Sequence, residues 1–72
     1  MNSEISKIIK ERRRDLGVDQ KSLARIAGIS VHALSDLETG KGNPTLTTVS
    51  QVLNALGMTL KPTITSPEEQ DA

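Results

Sequence analysis

The stretch from Gln20 to Leu37 leaves this chain few ways to fold. Apolar residues stand at Leu23, Ala27, Ile29, Leu34 and Leu37, with the small Ala24 and Gly28 set among them. That spacing predicts two short helices crossing at a tight turn. The apolar side chains fill the wedge, Ala24 marks the closest approach, and Gly28 takes a left-handed conformation without a Cβ penalty. The unit is a helix-turn-helix, whose commonest use is to lay its second helix in the DNA major groove. A plain helical hairpin shares this outline, so the exposed residues of the second helix must carry the functional argument.

At 72 residues the chain makes one domain, near the lower limit for a self-sufficient core. It has no Cys, which removes disulfides and thiolate metal sites. It also has no Phe, Trp or Tyr, so it lacks the stacking platforms that single strands and RNA require. Apolar runs never exceed two residues, which predicts neither a membrane span nor a signal peptide and implies a cytoplasmic location. The net charge is zero but unevenly spread. Residues 1–61 hold all nine Lys and Arg against six acids, a local +3, whereas Glu68, Glu69 and Asp71 stand in the last seven residues with no base. Phosphate binding needs a local basic face rather than a basic total.

The sequence predicts a first helix from just after Ser3 to about Leu16, with Ile5, Ile9, Arg12 and Leu16 on one face and Ile8 beside it. Asp19 caps a second helix over 20–27, and Ser30 caps a third over 31–39 that stops before Gly40. Thr45 caps a fourth that ends at Gly57, with an apolar stripe of Leu46, Val49, Val52, Leu53 and Leu56. Beyond Gly57 the period becomes two. Met58-Thr59-Leu60-Lys61 alternates and Thr63-Ile64-Thr65 is rich in β-branched residues, which predicts a strand held to an edge or bulge by Pro62. A lone strand must pair with another molecule or stay irregular and solvated. Self-pairing about a two-fold axis, through Met58, Leu60 and Ile64, is the simplest solution. The expected organisation is a DNA-binding domain with a dimerising strand over 1–65 and a disordered acidic tail over 66–72.

Helical period alone selects the reading residues of the third helix. Ala33, Leu34 and Leu37 share one arc, and Val31, His32, Ser35 and Asp36 the other. His32 can donate to guanine N7 or O6, Val31 can touch a thymine methyl, Ser35 is indifferent to base identity, and Asp36 can accept from cytosine N4. His32 and Asp36 can equally be solvated residues on the wet face that every surface helix has. Phosphate contacts are expected at the start of the second helix, from Gln20 and Lys21, at Ser30, and from Lys41, Asn43 and Thr45 in the following loop. Glu38 sits at the C-terminal end of the third helix, where the dipole opposes a negative charge. It should therefore meet an inward-facing Arg of the first helix in a bidentate pair.

These residues also carry a resemblance. Lys10-Glu11-Arg12-Arg13-Arg14-Asp15-Leu16-Gly17-Val18, Asp19-Gln20, Leu23-Ala24 and Leu37-Glu38-Thr39-Gly40-Lys41 with Asn43-Pro44-Thr45 resemble the phage-repressor or XRE-type helix-turn-helix family. The likeness covers about residues 5–60 and implies an all-α, lambda-repressor-like bundle of four to five short helices. It implies that Gln20 binds backbone phosphate and that Arg13 and Glu38 form an interhelical salt bridge. The ending Leu46-Thr47-Thr48-Val49, Leu53-Asn54-Ala55-Leu56-Gly57-Met58-Thr59-Leu60 is similar to HipB-type antitoxins, whose C-terminal strand pairs across a dimer and whose partner is a HipA-type kinase toxin. Many XRE repressors have a fifth helix where Met58 to Ile64 stands. The expectation is a homodimeric repressor of a HipA/HipB-type toxin–antitoxin operon, bound to a palindromic operator. A free-standing XRE regulator, such as a phage-type repressor or a restriction–modification controller, is the alternative. A module that only neutralises a toxin is a third. No enzyme, cofactor or metal site is expected: the single His has no Cys or clustered carboxylates beside it, and no Gly-rich phosphate loop is present.

Overall fold

A computed structural model describes residues 3–64, and the expected acidic tail lies outside the described residues. It contains four helices, α1 (Ser3–Asp15), α2 (Gln20–Ala27), α3 (Val31–Thr39) and α4 (Leu46–Ala55). Helices α1 and α3 pack together, and α2 packs on both α3 and α4.

The start of each of the last three helices is written in one side chain. Asp19 accepts from Ser22 N, Ser30 from Ala33 N and Thr45 from Thr48 N, each satisfying an amide that the helix leaves free. Gly28 and Gly40 end α2 and α3 at φ of 76° and 75°. At the first of these, Ile29 N donates back to Ala24 O at 3.0 Å, which folds the chain directly from α2 into the cap of α3.

The core lies where the helices meet. Ile9, Leu23, Leu34, Leu37, Val52 and Leu56 are fully buried, and Ala24, Ala27, Val49 and Leu53 close the gaps between them. Among the described residues no helix is long and apolar enough to cross a membrane.

Three expectations need correction. Ile9 and Ile5 lie on the inward face of α1 as predicted, but that face is completed by Ser6 and Arg13 rather than by Arg12 and Leu16. Leu16 shares Ile9's direction but falls after the helix has ended, and it is 46% exposed. Leu46 is 68% exposed because it opens α4, a turn before the residues that reach α2. The predicted strand at Met58–Ile64 is not a strand in the single chain. Thr59 to Ile64 make no hydrogen bond among the described residues, and without a ladder partner the segment runs extended and exposed. Met58 is half-buried against the chain's own core, with its amide on Leu53 O at 2.8 Å.

A Cβ built on Gly28 meets nothing within 4 Å, so only its backbone conformation resists substitution. Gly28→Ala should therefore destabilise by about 1–2 kcal/mol, with Gly28→Asn milder, in urea unfolding followed by circular dichroism. A larger loss for Ala would mean that the side chain, not the left-handed backbone, is what the turn refuses.

Candidate nucleic-acid interface

The orientation of α3 is fixed from its hidden side. Glu38 ends the buried row Leu34–Leu37–Glu38, and its side chain is 2% exposed. Arg13 Nε donates to Glu38 Oε2 at 2.6 Å and Arg13 Nη2 to Oε1 at 2.9 Å, a two-pronged pair between α1 and α3. The remaining prong, Nη1, donates to Val18 O at 2.9 Å and holds the α1–α2 turn. Gln20 Nε2 completes the site, donating to Glu38 Oε1 at 3.2 Å. One carboxylate thus gathers α1, the turn after it, and both helices of the crossing unit.

Burial pushes the Glu38 carboxyl upward, and this is the largest single influence on it. The hydrogen bonds from Arg13 and Gln20, together with the charges of Arg13 and Lys10, outweigh it and hold the group below its ordinary value. A carboxylate whose folded pKa is depressed stabilises the fold above its unfolded pKa, about 4.3 for Glu, and loses that contribution as pH falls through the lower folded value.

On the opposite side, α3 presents the predicted reading arc. Val31 is 43% exposed, the His32 side chain stands almost free in solvent, and Ser35 and Asp36 are half-buried. His32 Nε2 lies 3.7 Å from Asp36 Oδ2, one turn along the helix. At that distance a protonated imidazole and the carboxylate attract, so Asp36 can steer the ring that would face a base edge.

The anchoring candidates fall into two groups. Asp36, Lys41, Asn43 and Thr45 line one open depression of about 350 Å³ between α3 and the start of α4. Lys41 is set by the turn that ends α3, where its amide donates to Asp36 O at 2.9 Å. Thr48 lines the same depression and was missed by sequence reasoning. Its signal was the three-residue spacing from Thr45, whose hydroxyl it meets at 3.0 Å. Gln20 and Lys21 stand apart at the start of α2, and Ser30 stands at the crossing turn that opens α3.

Two features make the start of α2 differ from a bare anion site. One amide hydrogen of Gln20 is committed to Glu38, which leaves the second to donate elsewhere. Asp19 places a carboxylate at the same helix end, held below its ordinary pKa chiefly by the Ser22 backbone amide. That negative charge opposes an incoming phosphate. Among the described residues no group of His, Asp and Glu could hold a metal ion.

The comparisons with known proteins identify the family and the fold. The family described as helix-turn-helix matches residues 9–62. This chain belongs to the XRE-type helix-turn-helix family. It is 40% identical over 52 residues to the HTH-type transcriptional regulator DdrOP3 of Deinococcus deserti, covering 72% of this chain and 40% of that protein. It is 29% identical over 65 residues to the HTH-type transcriptional regulator PuuR of Escherichia coli, covering 90% of this chain and 35% of that protein. The chain therefore spans well under half the length of these two relatives. A crystal structure of a point variant of the restriction–modification controller protein C.Esp1396I superposes with a TM-score of 0.74 at 26% identity, covering 79% of this chain and 74% of the other.

Arg13→Ala should cost about 3–5 kcal/mol in thermal or urea unfolding, because it strands a buried carboxylate. Changing both partners, Arg13→Met with Glu38→Leu, should recover much of that loss. The double variant should also shed the component of wild-type stability that disappears below about pH 4.3. A thermally silent Arg13→Ala would remove the pair from the interactions that hold α3.

Proposed function

We propose that this chain is a sequence-specific DNA-binding repressor that acts as a homodimer on a two-fold operator. The observation that carries the reading is the division of α3. Its inner side is locked by Leu34, Leu37 and Glu38, while the Val31 and His32 side chains project into solvent, His32 touching only Asp36 of its own helix. The family to which the chain belongs supports DNA as the partner.

In this reading Val31, His32, Ser35 and Asp36 meet base edges. Lys41, Asn43 and Thr45 grip the backbone on one side of the helix, and Gln20, Lys21 and Ser30 on the other. Glu38 aims the Gln20 amide, so the same ion pair that holds α3 also sets a phosphate donor. One such helix touches too little duplex for operator-level affinity, so two copies should bind half-sites about 34 Å apart. The extended arm after Gly57, standing where a fifth helix is common, favours control of a HipA/HipB-type toxin–antitoxin operon, with a HipA-like kinase as the protein partner. The likeness to a restriction–modification controller favours a free-standing regulator instead.

His32→Ala should weaken operator binding by about 1–3 kcal/mol with little change on random duplex, measured by fluorescence anisotropy on both. Equal losses on the two DNAs would make His32 a backbone contact. Lys41→Ala should weaken both alike and make the salt dependence shallower by about one unit per lost contact. An unchanged salt slope would take Lys41 off the phosphate list. Absence of any binding to the DNA upstream of its own coding region would leave the toxin-neutralising module as the surviving reading.

A further inference from the structure

Among the side chains proposed to meet DNA, Asp36 is the one acid. It stands in an awkward place for a negative charge. Its side chain is 40% exposed and lines the same depression as Lys41, Asn43 and Thr45, where the phosphate backbone would be gripped. The nearby acids are otherwise engaged: Asp19 caps α2, and Glu38 is buried against Arg13. The Asp36 carboxylate has His32 as its one ion-pair partner among the described residues, with Nε2 at 3.7 Å from Oδ2. A carboxylate at that side of the ring favours the imidazole tautomer that carries its proton on Nε2, which makes His32 a donor.

The pair therefore offers a donor and an acceptor side by side, and so does the edge of a base pair. In the major groove, guanine O6 lies one Watson–Crick hydrogen bond, about 3 Å, from cytosine N4. An imidazole donating to O6 and a carboxylate accepting from N4 would stand at a separation close to that of Nε2 and Oδ2. The carboxylate is the more selective half. Guanine and thymine present it only with acceptors. Adenine presents an N6 donor, but with the N7 acceptor beside it. Cytosine alone shows a donor with no acceptor on its own edge. A negative charge in the groove thus costs affinity on every pair that does not set an amino group against it.

We infer that His32 and Asp36 read one G·C base pair together, His32 Nε2 donating to guanine O6 and the Asp36 carboxylate accepting from cytosine N4. The inference rests on the DNA-reading role proposed for α3, and it names the base pair that this role selects. Asp36 is the excluding partner: it adds little to the tightness of binding and much to the rejection of other sequences. Lys41, in the same depression, offsets its repulsion of the neighbouring phosphates.

The test is selection of binding sites from a random-sequence DNA duplex library, by the wild type and by each variant, with the four base pairs compared at every position of the selected motif. Wild type should prefer G·C at one position by about tenfold over the other pairs. His32→Ala and Asp36→Ala should both flatten the choice at that position and at no other. Asp36→Asn should change it to T·A, because an Asn amide pairs with adenine N6 and N7 together. Loss of preference at two different positions in the His32 and Asp36 variants overturns the shared pair. So does an Asp36→Asn chain that binds all sequences more tightly with its preferences unchanged, since that would leave only relief of phosphate repulsion. A wild-type chain that selects no sequence overturns the reading role of α3 itself. Circular dichroism checks the fold of each variant, and where Asp36→Asn loses helicity the two Ala variants decide.

Discussion

The carboxylate of Glu38 is the point on which the rest of this small protein turns. A buried charge must be fully partnered, and this one draws its partners from three separate places: Arg13 on α1, Gln20 at the start of α2 and, through Arg13, the carbonyl of Val18. Apolar contacts alone would tolerate some sliding of α3 against α1, because dispersion has little direction. A two-pronged guanidinium–carboxylate pair does not, since both oxygens and two nitrogens must stay in plane. In a core of aliphatic side chains with no ring to set the register, this polar node supplies the directionality. An ion pair buried in this way adds little net stability compared with an apolar pair. What it fixes is the angle at which α3 is presented.

Where the sequence was legible, one residue type answered one local demand. Asp19 and Ser30 start α2 and α3, Gly28 and Gly40 end them, and the predicted bounds of both helices coincide with the observed ones. Glu38's need for a cation could also be read from its place at a helix C-terminus beside a core leucine. Which arginine supplies it could not be read from periodicity. Arg12 and Arg13 lie 100° apart, the apolar pattern of α1 favoured Arg12, and the inward position instead belongs to Arg13 because the small Ser6 lets α1 approach the end of α3. The residue-level pattern was misled by Leu16 and Leu46, which continue an apolar stripe past the point where a facing helix exists. A stripe records the direction of a side chain but not the length of its neighbour.

The segment after Gly57 shows a different limit. Its period of two is a property of the chain, whereas a strand is a property of a chain and its partner. The single molecule therefore shows an extended arm, and the alternation in Met58, Leu60 and Ile64 remains as an unspent instruction. Around α1 the charges are interleaved: Lys7, Glu11 and Asp15 follow one another at four-residue spacing along one row, with Arg12 beside Asp15. Lys10 is close enough to Glu38 to help lower its pKa, so its flank of α1 is the one turned toward α3.

A net charge of zero does not remove a local basic surface, because residues 1–61 carry nine bases against six acids. In the proposed homodimer the affinity of the pair for DNA would exceed what one domain supplies, because engaging one half-site makes binding of the second intramolecular.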